Sequence, residues 1–123
     1  MEIVIDAHAL FWFLTNSPRL SKKTANLISG ADVIVVPTIV LAEILYIFKK
    51  NRAASQFSEF LSSIDSTKYL IYPLDIQVLL KTVPLSEKLE MHDAMIVATA
   101  SIRDAFLISK DGEIKKYYSK TIW

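Results

Sequence analysis

Five short runs of β-branched and other apolar residues punctuate this chain, and stretches of helical character stand between them. Residues 2–6 read as a buried strand, and Val33 to Val36 as a β-branched strand ended by Pro37. Tyr69 to Leu74 and Ala105 to Ser109 are two further strands, and Thr121 to Trp123 a final edge strand. Ala7 to Thr15 is apolar nearly all round, the mark of a helix buried on several sides. Ser21 suits the N-cap of a helix to about Ser29, and Gly30 its stop. Thr38 caps the next helix, which runs to about Lys50 with Lys49 and Lys50 at its negative end. Ala53 to Ser66 is amphipathic through Phe57, Phe60, Leu61 and Ile64. Asp75 caps a short helix to about Thr82, and Pro84 leads into a polar loop from Ser86 to Glu90. A helix from Met91 or His92 to about Asp104 and a short one from Asp111 to Tyr118 complete the pattern. Strands alternating with helices predict an α/β fold, a three-layer α/β/α sandwich around a mainly parallel central sheet. At 123 residues the chain forms one domain with a substantial core.

Four acids interrupt the apolar runs. Asp6 closes Ile3-Val4-Ile5, and Glu43 stands between Ile39 and Ile47, each four residues away on the same helix. Asp93 opens Ala94-Met95-Ile96-Val97-Ala98, and Asp111 follows Phe106-Leu107-Ile108 with only Ser109 and Lys110 between. Working groups of parallel α/β sheets collect at the carboxyl ends of strands, where Asp6 and Asp111 fall. Asp93 lies near a helix N-terminus, which favours an anion, and Glu43 lies in the second turn of a helix. Four segments can therefore deliver acids to one edge of the sheet. Two unit charges about 4 Å apart repel by roughly 4 kcal/mol at an effective dielectric near 20. Gathered acids must protonate or hold a cation. Only Lys110 neighbours any of them in sequence, so a hard divalent metal bound by oxygen is the expectation.

Each acid also has a plainer reading. Asp6 suits a cap for the helix from Ala7, Asp93 an N-cap, and Asp111 a turn residue before Gly112. Glu59, Asp65 and Asp104 belong to polar faces or ends, and Asp32 and Asp75 to turns or caps. Glu87, Glu90 and Glu113 are candidates for support through water, and Ser109 for orienting the Asp111 carboxylate. His8 and His92 read as packing or supporting residues, because carboxylate-held metal activates water without histidine. There is no glycine-rich phosphate loop and no nucleophile-elbow serine.

The formal net charge of +1 excludes a polybasic nucleic-acid binder, so any such contact must come from local clustering. Without cysteine the chain has no disulfide, zinc–thiolate site or thiol nucleophile. No membrane-length apolar stretch occurs, and the start reads as a strand rather than a signal peptide, so a cytoplasmic location is expected. The apolar share of 52% is large for so small a chain and predicts an interface with a partner.

The order of motifs is familiar. Ile3-Val4-Ile5-Asp6-Ala7-His8-Ala9-Leu10, then Glu43 within a helix, then His92-Asp93-Ala94-Met95-Ile96-Val97-Ala98-Thr99-Ala100, then Leu107-Ile108-Ser109-Lys110-Asp111, resembles the PIN-domain family. More narrowly it resembles the ribonuclease toxins of VapBC-type toxin–antitoxin pairs. The resemblance implies Mg²⁺ or Mn²⁺ held by Asp6, Glu43, Asp93 and Asp111 as metal ligands and catalytic acids. It also implies an RNA substrate cleaved to a 3′-hydroxyl and a 5′-phosphate, a small antitoxin protein as inhibitor, and a homodimer. His8 departs from the family, which often has a small hydroxyl or amide residue at that position. RNA must be held against acidic repulsion, and Lys22, Lys23, Lys49, Lys50, Arg52, Lys110, Lys115 and Lys116 are candidates. Leu10 to Leu14, with the face formed by Ile44, Leu45, Ile47 and Phe48, is the expected groove for an antitoxin helix. The alternatives are a non-catalytic binding or scaffold protein of the same fold and a phospho-receiver domain. The receiver reading lacks a second acid after Asp6.

Overall fold

The computed structural model of the protein describes residues 1–64 and 67–123. The surface role expected of Asp65, and the expected helix end at Ser66, lie outside the described residues. Five strands pair in parallel: β1 (Glu2–Ile5), β2 (Val33–Pro37), β3 (Tyr69–Tyr72), β4 (Phe106–Ile108) and β5 (Thr121–Ile122). Their order is β3-β2-β1-β4-β5. Ile3, Val4 and Ile5 have no exposed surface, nor do Ile34, Val35 and Val36. That burial on both faces is why these runs are continuously apolar rather than alternating.

Between the strands stand α1 (Ala7–Leu14), α2 (Lys22–Ser29), α3 (Thr38–Lys50), α4 (Phe57–Ser62), α5 (Ile76–Thr82), α6 (Met91–Arg103) and α7 (Gly112–Tyr117). The chain steps outward from β1 to β2 to β3, then crosses back to β4 and on to β5. Right-handed crossovers in opposite directions put α1 to α4 on one face and α5 to α7 on the other. This is the expected three-layer sandwich. Its order differs from the 2-1-3-4-5 order of receiver domains, which removes that reading.

Several boundaries moved for identifiable reasons. Ser21 and Asp75 cap α2 and α5 as the sequence suggests, accepting from the Thr24 and Val78 N–H groups, and Asp111, expected to open the last helix, instead caps α7 by accepting from the Glu113 N–H. Thr38 does not cap α3. Its hydroxyl accepts instead from the Leu74 N–H at 3.1 Å, tying the start of α3 to the chain leaving β3. The segment from Ala53 begins with a 3-10 turn at Ala54–Gln56, and α4 starts only at Phe57. Another 3-10 turn, Val83–Leu85, includes Pro84 and leads into the polar loop.

Of the expected antitoxin groove, Phe11, Phe13, Leu14, Ile47 and Phe48 are half-buried and Leu45 is exposed, while Leu10, Trp12 and Ile44 belong to the core. Phe11 meets Phe48 edge-on at 5.8 Å and Phe60 at 6.1 Å, so α1, α3 and α4 lock together through aromatic rings. Alanine at Phe11 or Trp12 therefore reports on folding rather than on inhibitor binding. The apolar surplus also surfaces at Leu70 and Ile71 on edge strand β3, at Leu74 after it, and at Ile76, Leu79, Leu80 and Val83 on and after α5. No helix among the described residues is long and apolar enough to cross a membrane.

Candidate active site

Asp6, the first residue after β1, donates its backbone N–H to the Ile108 carbonyl at the end of β4. The connections leaving these adjacent strands run in opposite directions, so a crevice opens between their carboxyl ends. Asp6, Glu43, Asp93 and Asp111 all line this cleft, of about 390 Å³, together with Ala7, His8, Ile96, Lys110, Ile114 and Trp123. The four acids singled out in the sequence are thus brought together from β1, α3, α6 and the turn after β4.

Two of them carry a structural duty as well. Asp6 Oδ1 accepts from the Ala9 N–H at 3.0 Å and caps α1. Asp111 Oδ1 accepts from the Glu113 N–H at 2.8 Å. Asp93 is different: the cap of α6 is Glu90, whose Oε2 accepts from the His92 N–H at 2.9 Å and the Asp93 N–H at 3.3 Å. The N-cap reading of Asp93 therefore fails, and its carboxylate is left to the cleft. Glu43 projects from α3 with Oε1 buried and without a hydrogen-bond partner. A buried unpaired carboxylate oxygen costs free energy unless a proton or cation meets it.

The electrostatics agree. Burial pushes the Glu43 carboxyl up to about 7; Asp93, Asp6 and Glu90 add repulsion, and His92 partly offsets it. Burial likewise raises Asp93 to about 6, with Asp111, Glu90 and Asp6 contributing and His92 opposing. Asp6 is raised by burial, against the pull of the Ser109 hydroxyl and the Ala9 N–H. Ser109 is buried, and its Oγ accepts from the Asp111 backbone N–H at 3.2 Å. It thus links Asp6 to the backbone of Asp111, whereas the sequence suggests that it orients the Asp111 carboxylate.

The donor set is all carboxylate oxygen, which suits Mg²⁺ or Mn²⁺. With the orphaned Glu43 oxygen and mutually repelling neighbours, it fits a divalent cation. Among the described residues, no three acids or histidines already form a closed ligand set. Asp6 and Asp111 each spend Oδ1 on a local cap, which leaves Oδ2 of each for a cation.

The surroundings were less legible. Of the eight candidate cations, Lys110 alone lines the cleft, its ammonium 4.7 Å from the centre of the Trp12 ring. Trp123 meets Trp12 edge-on at 6.2 Å and forms a wall no local motif announced. Glu90, singled out in the sequence only for support through water, is instead the cap of α6, a role not foreseen because glutamate is an uncommon cap. His8 and His92 are exposed, His8 against Trp12 at 5.5 Å and His92 Nδ1 on Glu90 Oε1 at 3.0 Å. Glu87 and Glu113 are exposed and do not line the cleft.

Carboxylates from separate elements, gathered at the switch point of a parallel 3-2-1-4-5 sheet, define an acid-lined α/β domain suited to divalent-metal chemistry. The PIN domain profile matches residues 3–120, and the chain belongs to the PIN-domain family. No curated protein matches it. Among solved structures it is similar to a chain of a toxin–antitoxin complex from Klebsiella pneumoniae, at 20% identity and a TM-score of 0.74, covering 98% of this chain and 96% of that one. VapBC2 from Rickettsia felis, bound to a promoter DNA fragment, matches at 19% identity and a TM-score of 0.72, covering 99% and 96%. VapC20 from Mycobacterium tuberculosis, described as a toxin cleaving the sarcin–ricin loop, matches at 13% identity and a TM-score of 0.68, covering 94% of each chain. At these identities the structures establish the shared fold.

Proposed function

We propose that this protein is a metal-dependent endoribonuclease and the toxin of a cytoplasmic toxin–antitoxin pair. The observation that carries the reading is the convergence of Asp6, Glu43, Asp93 and Asp111 on one cleft from four separate elements. A structural surface has no reason to bear the cost of such repulsion. These acids would hold Mg²⁺ or Mn²⁺, which when bound would supply an acidified water and neutralise charge on the phosphoryl oxygens. Asp6, Glu43, Asp93 and Asp111 would hold the ion, Glu43 through the buried oxygen that lacks a partner. The experiment is cleavage of structured RNA by purified protein with Mg²⁺ or Mn²⁺, beside the Asp6→Asn and Asp93→Asn variants. A scaffold protein of the same fold would give no cleavage.

Lys110 offers the positive charge that a phosphate needs beside the acids, and the Trp12 ring holds it in place. Lys110→Ala lowers kcat/KM through KM and reduces the slope of log(kcat/KM) against log salt by about one-half to one, as for one lost phosphate contact. An unchanged slope removes this assignment.

The antitoxin is the small inhibitor that the toxin–antitoxin neighbours suggest, and it covers the acids. A second copy of the chain buries the exposed apolar residues of α5 and edge strand β3. Sedimentation velocity at micromolar concentration is expected to show a dimer that Leu80→Asp disrupts; a wild-type monomer rules the pairing out.

A further inference from the structure

We infer that the hollow beside the acid cleft is a nucleobase subsite, in which an unpaired base of the RNA strand stacks on Tyr46. The hollow, about 450 Å³, is lined by His8, Ala42, Glu43, Tyr46, Ile47 and His92. The inference rests on the nuclease reading and adds what the chain grips outside the reaction centre.

The two hollows share His8 and Glu43 and so form one continuous surface. Their chemistry differs sharply. The acid cleft holds four carboxylates, whereas the adjoining hollow has only the shared Glu43, over a floor that includes Ala42 and Ile47. A nucleotide has the same division, with a charged phosphate at one end and a flat neutral base at the other. A base can approach four carboxylates without the repulsion a phosphate meets there in the absence of a cation.

The rim favours a base over an apolar side chain of a protein partner. Tyr46 is 63% exposed on α3, an aromatic ring left in water beside the cleft. His8 and His92 are exposed too, yet each is held by a neighbour, His8 by the Trp12 ring and His92 by Glu90. Three rings with hydrogen-bonding edges offer both stacking faces and polar contacts, which single-stranded bases use and a leucine does not. The volume lies within the range of small-ligand sites.

The test uses the full-length protein without metal, titrated with adenosine or with ribose while the ring signals of Tyr46, His8 and His92 are followed by NMR. Adenosine is expected to shift all three at concentrations where ribose moves none. Tyr46→Ala should weaken adenosine binding about tenfold, the scale of one lost base–aromatic stack, and Tyr46→Phe should restore it. Equal shifts by adenosine and ribose overturn the inference. So does unchanged adenosine binding by Tyr46→Ala, or tighter binding of N-acetyl-leucine amide, which would mark an apolar peptide groove. Because neither metal nor cleavage enters this measurement, its failure is separable from failure of the nuclease reading. That reading stands or falls on metal-dependent cleavage and its loss in Asp93→Asn.

Discussion

Asp93→Asn and Asp6→Asn each reduce Mg²⁺- or Mn²⁺-dependent RNA cleavage by roughly a hundred- to a thousandfold, the scale of losing one electrostatic stabiliser of the transition state. Initial rates on an end-labelled structured RNA measure it. Both changes keep side-chain shape and remove one negative charge. At Asp93 the fold has little to lose, because Glu90 caps α6. At Asp6 the cap survives, because asparagine also presents an Oδ1 to the Ala9 N–H and ranks with aspartate as an N-cap. Loss of cleavage without a lowered melting midpoint therefore assigns the charge to chemistry rather than to folding. Asp111→Asn is expected to have the smallest effect, since Asp111 is exposed and needs only its Oδ1 to hold α7. Equal rates for wild type and variants would indicate a contaminating nuclease and sink the proposed activity.

The fold was readable where local sequence and burial agree. Ile3-Val4-Ile5 and Val33 to Val36 are short, β-branched and apolar on both faces, a pattern that suits an interior parallel strand. The acids were readable for a related reason: a carboxylate inside an apolar run is conspicuous. What stayed hidden depends on contacts between distant segments. Trp123 packs on Trp12, and Lys110 lies over the same ring, but neither pairing leaves a mark within a helical turn or a strand repeat. The face assigned to Leu10 to Leu14 is largely taken up by packing, because an apolar helix is most easily buried: Leu10 and Trp12 are in the core, and Phe11, Phe13 and Leu14 are half-buried. Conversely, Ile76, Leu79, Leu80 and Val83 follow helical spacing and resemble a core-facing stripe, yet they face solvent. Spacing shows which residues share a face and says nothing of what that face meets.

Metal-free protein is expected to lose stability as pH rises from about 4 to about 7, and Mn²⁺ to restore it. The folded-state values are about 7 for Glu43 and about 6 for Asp93, above ordinary values of 4.5 and 3.8. Between the ordinary and raised values the folded state binds more protons than the unfolded state, so the unfolding free energy falls with rising pH. The penalty is absent below the ordinary values and complete above about 7. Both side chains are partly exposed, so after discounting for solvent screening it amounts to about 2 kcal/mol for the pair. Mn²⁺ binds the ionised carboxylates and adds about 2.7 kcal/mol at a concentration roughly a hundredfold above its Kd. Thermal unfolding in EDTA and in MnCl₂, at about pH 5 and about pH 7.5, separates the two effects. The midpoint should be lower at the higher pH in EDTA, and the gain from Mn²⁺ larger there. Glu43→Gln should flatten the pH slope in EDTA and weaken the response to metal, because the buried Oε1 then carries no charge. Midpoints indifferent to both pH and Mn²⁺ would mean that the carboxylates do not act on one another, and the case for a shared cation would fall with them.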